Sequence, residues 1–452
     1  MRTSYINIKD VHTSNLRTDA SFHLSEGQEV QRFIANSPYP LLPISKVAKD
    51  IFIGNRAKRV YVKKASHGIP FLSSSDILRA DLNNLKLAST KYTPDIERMK
   101  LQKGWTLISR SGTIGNCAFA NAKHAQKLAS EDVIRLCPNN ILRGGLVYAY
   151  LASKYGHSLL TQGTFGAVIQ HIEPAFVGSI LIPSFPESFQ KEVDDLIQES
   201  ARLREEAAEA LEEAIAKFDT FFPDLFVGKK IGIISSKDIF SSINKRMEGT
   251  FHISEGKDID KFIKEHFEWK PLGDVCSSIS RPDIFKRYYV KKGITFLGGA
   301  DIFLATPDSN KKLSIAKTEN INFLKIKEGT ILMPRSGTIG NVAWAHAGHA
   351  HKLASEDVIR ILPNDIFMAG YIYAFLASKY GKSLIQRYIF GSVIQHIEPP
   401  HLKLVPIPII DETTMNLIHE KIMIYSTSIG QAIEKEDCAI HMVEEEIEKW
   451  NK

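Results

Sequence analysis

The sequence RSGTIGN occupies residues 110–116 and recurs unchanged at residues 335–341, 225 positions later. Three more segments repeat at the same offset: KLASEDVIR (127–135 and 352–360), LASKYG (151–156 and 376–381) and VIQHIEP (168–174 and 393–399). About two-thirds of the 65 positions aligned by this offset are identical. Solenoid repeats have periods of up to about 50 residues, so a period this long indicates two copies of one domain.

The repeat extends upstream with small changes of register. TDASFHLSEG (18–27) matches EGTFHISEG (248–256), and YVKKASHGIPFLSSSDI (61–77) matches YVKKGITFLGGADI (289–302) after a three-residue deletion. Within the copies, short β-rich segments interrupted by glycine accompany one helical stretch, GGLVYAYLASKYGHSLL, and each copy ends in a proline-containing strand. This mixture predicts an α+β domain.

Two long helices are predicted, one after each copy. Apolar or small residues follow a heptad spacing in both segments, and a proline and acidic residues open the first. We predict that the two helices form an antiparallel coiled coil; the alternative is that each packs separately on the domain before it. The predicted seams consist of Phe189, Val193, Leu196, Ser200, Leu203, Ala207, Ala210 and Ala214, and of Met415, Ile418, Ile422, Tyr425, Ile429, Ile433, Ile440, Val443, Ile447 and Trp450.

The predicted organisation therefore has four segments. Residues 1–185 form the first domain, 186–219 the central helix, 220–410 the second domain and 411–452 the C-terminal helix. A helix of about 32 residues is roughly 48 Å long, which separates the domain centres by up to about 14 base pairs of DNA.

The net charge of +6 on 452 residues is the sum of opposed parts. Residues 187–217 carry −6 and residues 434–449 carry −5, so the remaining chain, which is mainly the duplicated domains, carries +17. Four scattered cysteines without metal-ligand spacing, no apolar run of membrane-spanning length and no apolar signal sequence predict a cytoplasmic protein.

Basic residues are clustered in both copies and are interleaved with aromatic residues. Such mixing favours a phosphate backbone as the partner, and duplication of the cluster strengthens this interpretation over that of a solvated basic surface. The clusters are Arg56, Lys58, Arg59, Lys63 and Lys64 in the first copy, and Arg281, Lys286, Arg287, Lys291 and Lys292 in the second.

The sequence gives little support to catalysis. It contains no phosphate-binding GxxxxGK[ST] loop, no HExxH zinc motif and no amino-methyltransferase tetrapeptide, and we predict no metal site. Ser111 with His124 and Asp132, repeated as Ser336 with His349 and Asp357, could suggest a hydrolase. Folding explains the repetition better: the glycine-rich segment is typical of a turn, and His171 and His396 are interpreted as hydrogen-bonded structural histidines.

The organisation resembles the specificity subunit of Type I restriction-modification enzymes. The resemblance covers nearly the whole chain and is carried by RTDASFH and RMEGTFH, by RSGTIGN in each copy and by SVIQHIEPPHLKLVPIPII before the last helix. It implies two target recognition domains, each reading one half of a split site in double-stranded DNA. It also implies helices that dock methyltransferase subunits, which supply S-adenosylmethionine, and restriction subunits in the same assembly; the chain itself would bind no cofactor.

Discrimination between two different half-sites is expected where the copies diverge, since identical residues can only position the backbone or hold the fold. The divergent stretches are 78–103 against 303–328, 162–164 against 387–389, and the loops at 56–59 and 283–287; Arg387 facing a guanine edge is one example. Neutral loop drift is the alternative. The candidate DNA-binding residues are Arg56, Lys58, Arg59, Lys63, Lys64, Arg110, Ser111, Thr113, Asn116, Lys286, Arg287, Lys291, Lys292, Arg335, Ser336, Thr338, Asn341 and Arg387.

Two other functions remain open from the residues alone. A coiled-coil scaffold whose duplicated domains bind an acidic protein would have the same charge distribution. A nuclease with an unfamiliar site would cleave duplex DNA when Mg²⁺ is added to the purified chain. The DNA sequence read, the modified base and the stoichiometry do not follow from the sequence.

Overall fold

The computed structural model describes residues 6, 8, 11, 18–56, 58–164, 170–223, 231–242, 245–391 and 393–450. Arg17 of RTDASFH, Val168 and Ile169 of the first VIQHIEP segment and Ser392 lie outside the described residues. The chain divides into two compact units: the first is Met1–Glu205 with Gln431–Lys452, and the second is Glu206–Gly430.

The first unit contains the first copy. Its helices are α1 (Ala20–His23), α2 (Glu26–Ala35), α3 (Ile44–Val47), α4 (Ile96–Met99), α5 (Gly144–Ala152), α6 (Lys154–Gln162) and α7 (Pro174–Ser179). Its strands are β1 (Leu41–Pro43), β2 (Ala48–Ile53), β3 (Tyr61–Val62), β4 (Gly68–Leu72), β5 (Lys86–Ser89), β6 (Thr106–Ser109), β7 (Cys117–Phe119), β8 (Leu128–Ala129), β9 (Val133–Pro138) and β10 (Leu181–Pro183).

A long helix, α8 (Glu187–Ala216), leads to the second copy, and α16 (Glu412–Lys449) follows it. The helices between them are α9 (Ser236–Ser241), α10 (Gly249–Ile253), α11 (Glu255–His266), α12 (Ile321–Leu324), α13 (Ile366–Ala377), α14 (Lys379–Arg387) and α15 (Pro399–Leu402). The strands are β11 (Glu268–Pro271), β12 (Cys276–Ser280), β13 (Tyr289–Leu297), β14 (Lys312–Leu313), β15 (Ile331–Pro334), β16 (Ala343–Trp344), β17 (Leu353–Ala354), β18 (Val358–Pro363) and β19 (Pro406–Ile409).

Corresponding strands form the same three sheets in each unit. An antiparallel sheet has the order β2-β9-β6-β7 in the first unit and β12-β18-β15-β16 in the second. A second sheet has the order β3-β5-β4-β8 or β14-β13-β17, and its last pair is parallel in both units. The deletion that separates the copies removes the turn between β3 and β4, so β13 is one continuous strand. The predicted proline-containing strands are β10 and β19, which pair with β1 and β11.

The predicted helix over residues 144–160 is wrong in one respect, because the structure has two helices there. Ser153 ends α5 and its hydroxyl accepts a hydrogen bond from the Gly156 amide (3.1 Å), which caps α6; Ser378 and Gly381 repeat this arrangement at 3.2 Å. Extended backbone at the serine breaks the helical hydrogen-bond ladder, and the side-chain cap makes a new start favourable.

The long helices pack as predicted in the first unit. Val193 of α8 and Val443 of α16 belong to the same hydrophobic core as α5. The Ser200 hydroxyl donates to the carbonyl of Ala432 (2.8 Å), while Phe185, just before α8, packs against Trp450 at the end of α16. Phe185, before α8, contacts Trp450, whereas Ser200, further along α8, contacts the earlier residue Ala432. The two helices are therefore antiparallel in this unit, as predicted.

Most of the predicted seam is buried. The buried members are Val193, Ser200, Leu203, Ala207, Ala210 and Ala214 on α8, and Ile418, Ile422, Tyr425, Ile429, Ile433, Val443 and Ile447 on α16. The other members are partly buried.

Each of the two units contains part of both long helices. The sequence prediction instead gives each long helix a segment of its own. In the second unit, Glu213 of α8 pairs with Lys421 of α16 at 2.5 Å, and Phe218 packs against Tyr371 and Phe375 of α13. The second unit therefore contains the end of the helix that precedes its domain, and the first unit contains the end of α16. The physical reason is that each domain presents one helix pair to the apolar stripes of both long helices.

Candidate nucleic-acid interface

The acidic turn, Glu131 and Asp132 of the first unit, connects the basic segment with the glycine loop RSGTIGN. Arg59 lies 3.1 Å from Glu131 and 3.7 Å from Asp132. The backbone amide of Arg110 donates to the Asp132 carbonyl (2.9 Å), and its guanidinium pairs with Glu173. Partial burial lowers the pKa of Arg59, but the hydrogen bond to Glu131 and the nearby charges of Glu131, Tyr61 and Asp132 together outweigh it, so the pKa is raised.

The second unit repeats this connection at Glu356 and Asp357. Arg287 pairs with Glu356, and the Ser336 hydroxyl donates to Asp357 Oδ2 (2.6 Å). The Arg335 amide donates to the Asp357 carbonyl at 2.7 Å. Arg59 and Arg287 also lie over the rings of Phe71 and Phe296, at 5.5 and 5.1 Å. These two arginines therefore hold the basic segment on the domain, and they are less available for DNA than the sequence predicts.

Glu398 is held by two arginines in the second unit. Arg335 Nε lies 2.7 Å and Arg281 Nε 2.8 Å from its carboxylate oxygens. Burial alone would raise the pKa of Glu398, but the hydrogen bonds from Arg281 and Arg335 outweigh it and hold the pKa below its ordinary value. We call Arg281, Arg335 and Glu398 the arginine clamp. It joins the basic segment, the glycine loop and the VIQHIEP segment in one surface.

The remaining cations of the basic segments face solvent. Among the described residues, none of them forms an ion pair with an acidic side chain. Lys286 lies over Tyr288 at 5.2 Å, and Lys317 lies over the same ring at 5.7 Å. Exposed, uncompensated cations beside aromatic rings are suited to phosphates and bases. They are Arg56, Lys58, Lys63, Lys64, Lys286, Lys291 and Lys292.

The glycine loops end in exposed tips. Gly112 and Gly337 have φ of +74° and +76°, a conformation that glycine adopts without strain. Thr113 and Thr338 next to them are exposed. The Thr113 hydroxyl lies 3.0 Å from that of Ser109, and the amides of Asn116 and Asn341 donate to the carbonyls of Thr113 and Thr338. The predicted turn is therefore present, with its polar tip available to a ligand.

Arg387 lies inside the second unit, contrary to its predicted place at a guanine edge. Its guanidinium is 3.2 Å from Asp260, donates to the Phe251 carbonyl (2.9 Å) and lies over the Phe251 ring at 4.4 Å. These contacts occupy the side chain because α11 packs against α14. We therefore remove Arg387 from the candidate DNA contacts.

The repeated histidines have structural contacts. Nε2 of His124 donates to the Ile77 carbonyl (3.2 Å), and Nε2 of His349 donates to the Ile302 carbonyl (2.9 Å). Nδ1 of His349 accepts from the His346 amide at 3.4 Å, and Nδ1 of His124 lies 2.8 Å from the side-chain oxygen of Asn121. With both nitrogens engaged, neither histidine can serve as a base for Ser111 or Ser336. The described part of the chain has no group of three or more His, Cys, Asp or Glu side chains placed to hold a metal ion.

Acid should destabilise both units through these histidines. Burial lowers the pKa of His124 and His349 to about 4, against about 6.5 in an unfolded chain. The neutral histidines are fully compatible with folding above pH 6.5, and stability is lost as the pH falls from 6.5 towards 4. At pH 5 we expect a loss of about 2 kcal/mol per histidine. Unfolding by urea at pH 7 and pH 5 measures this loss.

His349→Gln and His441→Gln provide the comparison for this prediction. His349→Gln should be less stable at pH 7 but lose less stability on acidification, whereas the exposed His441 should behave as the wild type does. An equal acid loss in all three proteins would contradict the assignment.

Two buried arginines were not singled out by the sequence patterns. Arg135 donates to the carbonyls of Ser130 (3.0 Å) and Val133 (2.6 Å), and Arg360 donates to those of Leu324 (3.1 Å) and Ala354 (3.0 Å). Burial lowers both pKa values to about 10, so both remain charged at neutral pH. Their hydrogen bonds fix the backbone beside the acidic turns. Both arginines belong to the repeated segment KLASEDVIR, and this repetition could have identified them from the sequence.

The VIQHIEP segment of the second unit belongs to a loop beside the glycine loop, of which residues 390–391 and 393–397 are described. The amide of Phe390 donates to the His396 carbonyl (3.0 Å) and the amide of His396 donates to the Phe390 carbonyl (2.9 Å). Arg246 of RMEGTFH donates to the carbonyls of Tyr388 (3.0 Å) and Ile389 (2.6 Å). Three repeated motifs thus meet at this loop, which we call the apolar loop.

One family model matches part of the chain. Residues 264–422 match the family described as Type I restriction modification DNA specificity domain. No curated protein matches the chain significantly. The matched residues include most of the second copy and the start of α16.

Three solved chains were matched over most of their length, at low sequence identity. The S subunit of the Type I restriction-modification system from M. genitalium is 12% identical with a TM-score of 0.35, covering 92% of this chain and 96% of that one. The HsdS subunit from Thermoanaerobacter tengcongensis is 13% identical with a TM-score of 0.28, covering 91% and 97%. A Type I restriction-modification assembly contains a chain that is 14% identical with a TM-score of 0.30, covering 92% and 97%.

The chain thus consists of a duplicated α+β domain with a basic surface, with a long helix after each copy. Within residues 264–422 the chain is similar to the Type I restriction modification DNA specificity domain, which agrees with the resemblance seen in the sequence. In the part of the chain that the structure describes, no helix is both long and apolar enough to span a bilayer.

Proposed function

We propose that each unit reads one half of a bipartite DNA site. The observation that carries this proposal is the surface built twice from a basic segment, an acidic turn and a glycine loop, with free lysines along one side. Phosphate contacts by these lysines would fix the register of the protein on the duplex, and base contacts would come from residues that differ between the copies. Tyr288 with Lys286 and Lys317 is such a group, because Val60 and Tyr92 stand at the positions of Tyr288 and Lys317 in the first copy.

The long helices are proposed to dock methyltransferase subunits, with restriction subunits joining the same assembly. Acidic side chains cover the outer faces of α8 and α16, which suits a partner with a basic surface. On this proposal the methyltransferase binds S-adenosylmethionine and performs the chemistry, while this chain supplies recognition without catalysis. The four cysteines are free thiols, which suits a cytoplasmic assembly.

Methylome sequencing tests the proposal. A host expressing this chain with its neighbouring methyltransferase gene should acquire a modified motif with two specified halves and several unspecified base pairs between them. The gap is expected because a 30-residue helix such as α8 is about 45 Å long. Substitution of Lys317 by alanine should relax only one half of the motif.

A host with the methyltransferase gene alone is the control and should lack the motif. A continuous, ungapped motif would contradict the bipartite reading. Full modification without this chain would overturn its role in recognition. If the chain still binds its partner after nuclease treatment, the coiled-coil scaffold that binds an acidic protein would be favoured instead.

A further inference from the structure

Two adjacent apolar side chains project into solvent at the tip of the apolar loop. Val393 is 93% exposed and Ile394 is 71% exposed. Exposing two β-branched apolar side chains side by side forgoes the stabilisation that burial provides. The segment repeats in the first copy as Val168 and Ile169.

The loop that presents these side chains is firmly held. Two backbone hydrogen bonds close it between Phe390 and His396, and Arg246 holds the carbonyls before it. The Ile397 amide donates to the carbonyl of Arg335 at 3.1 Å. The arginine clamp then fixes Glu398 immediately after the loop. These contacts fix the two ends of the loop against the glycine loop and the arginine clamp, which places its apolar side chains beside them.

The surroundings of the tip indicate which partner it meets. Arg281 of the clamp begins the second basic segment, and Lys286 follows five residues later, within about 18 Å of extended chain. The glycine loop is bonded to the apolar loop through the bridge between Ser336 and His396. The tip therefore belongs to the same surface as the exposed lysines, and a polyanion bound by those lysines would meet it.

The repetition of the Val-Ile pair indicates the kind of contact. Residues that are identical in both copies cannot distinguish two different half-sites, which argues against recognition of a thymine methyl group. Proteins that deform DNA insert apolar side chains between base pairs, partly unstack them and bend the duplex, and such contacts depend little on base identity.

We propose that Val393 and Ile394 form an apolar wedge that enters the stacked bases of the bound duplex and bends it. This inference rests on the proposed DNA-reading function and adds a mode of contact to it. The lysines supply the salt-dependent attraction, and the wedge supplies a salt-independent part of the affinity.

The test uses the full chain assembled with its methyltransferase subunits and a duplex carrying the methylome motif. We expect Val393→Ser with Ile394→Ser to weaken binding about tenfold, because contacts of two apolar side chains are lost. The slope of log affinity against log salt should be unchanged, since no phosphate contact is removed. The duplex bend, measured by energy transfer between its ends, should decrease.

Two further variants of the chain serve as controls for this experiment. Ile231→Ser with Ile233→Ser removes an equally exposed apolar pair from the same unit and should leave affinity and bend unchanged. Val393→Leu with Ile394→Met keeps an apolar tip and should restore both properties.

If the serine variant binds the duplex as tightly as the wild type and bends it as much, the wedge proposal is wrong and the proposed DNA-reading function is unaffected. Loss of the methyltransferase subunits from the variant, with DNA binding by the chain retained, would overturn it in favour of a protein contact. Failure of the wild-type assembly to bind the duplex would overturn the proposed function and the wedge together.

Discussion

Replacing Lys63, Lys64, Lys291 and Lys292 by glutamate should weaken DNA binding about 10³-fold near 0.1 M salt. Each lysine that neutralises a phosphate releases a counterion from the duplex, and each contact contributes about 0.9 to the salt slope. The four substitutions should therefore make the slope of log affinity against log salt about 3 to 4 less steep. Fluorescence anisotropy with a labelled duplex at several salt concentrations measures both quantities.

The expected loss is local because these lysines are exposed and have no acidic partner among the described residues. A control with the same change of net charge converts Lys191, Lys217, Lys261 and Lys270 to glutamate, all exposed and outside the basic segments. This control should bind within a few-fold of the wild type, apart from the general effect of net charge. Equal losses in the two quadruple variants would show that total charge, and not the basic segments, governs binding.

Gly156→Ala should destabilise the first unit by about 3 kcal/mol or more. A Cβ atom at this position would lie 2.1 Å from the Tyr150 carbonyl oxygen and 2.5 Å from the Leu151 Cα. Both neighbours are backbone atoms of α5, so the helices α5 and α6 must separate to admit it, and forced overpacking of this kind is costly. Urea unfolding of the purified chain measures the free-energy change.

Gly144→Ala is the matched substitution for this prediction. Its Cβ would make ordinary contacts, the nearest at 3.5 Å from Pro138, and the residue lies at the start of α5. We expect this variant to retain the stability of the wild type within about 1 kcal/mol. Similar losses in both variants would mean that the close approach at Gly156 relaxes easily.

The duplication and the long helices were predictable because both are visible as repeats of sequence. The offset of 225 residues identifies the paired domains, and heptad spacing places Val193 and Val443 on the buried faces. The helix break at Ser153 was not predicted, since the stretch before it is apolar on every side and its periodicity carries little information. The capping role of this serine within an apolar segment can be recognised only from the backbone structure.

The composition of the candidate interface was partly predictable. Basic residues and glycine loops were identified as a group, but the sequence does not indicate which cations are already paired. Arg110 meets Glu173 and Arg335 meets Glu398, 63 positions away in each copy. Contacts this distant depend on the tertiary fold, and the burial of Arg387 against Asp260 has the same cause.

The sharing of the long helices also constrains the order in which the chain can fold during its synthesis. Trp450 completes the cluster of Tyr39 and Phe185, and Val443 and Ile447 complete the core that includes α5. At about 5 to 20 residues per second, a ribosome needs on the order of 10 to 50 s to travel from α8 to the end of α16. During this interval the first unit is translated but lacks its last helix, so its exposed core is open to chaperones until the final residues emerge.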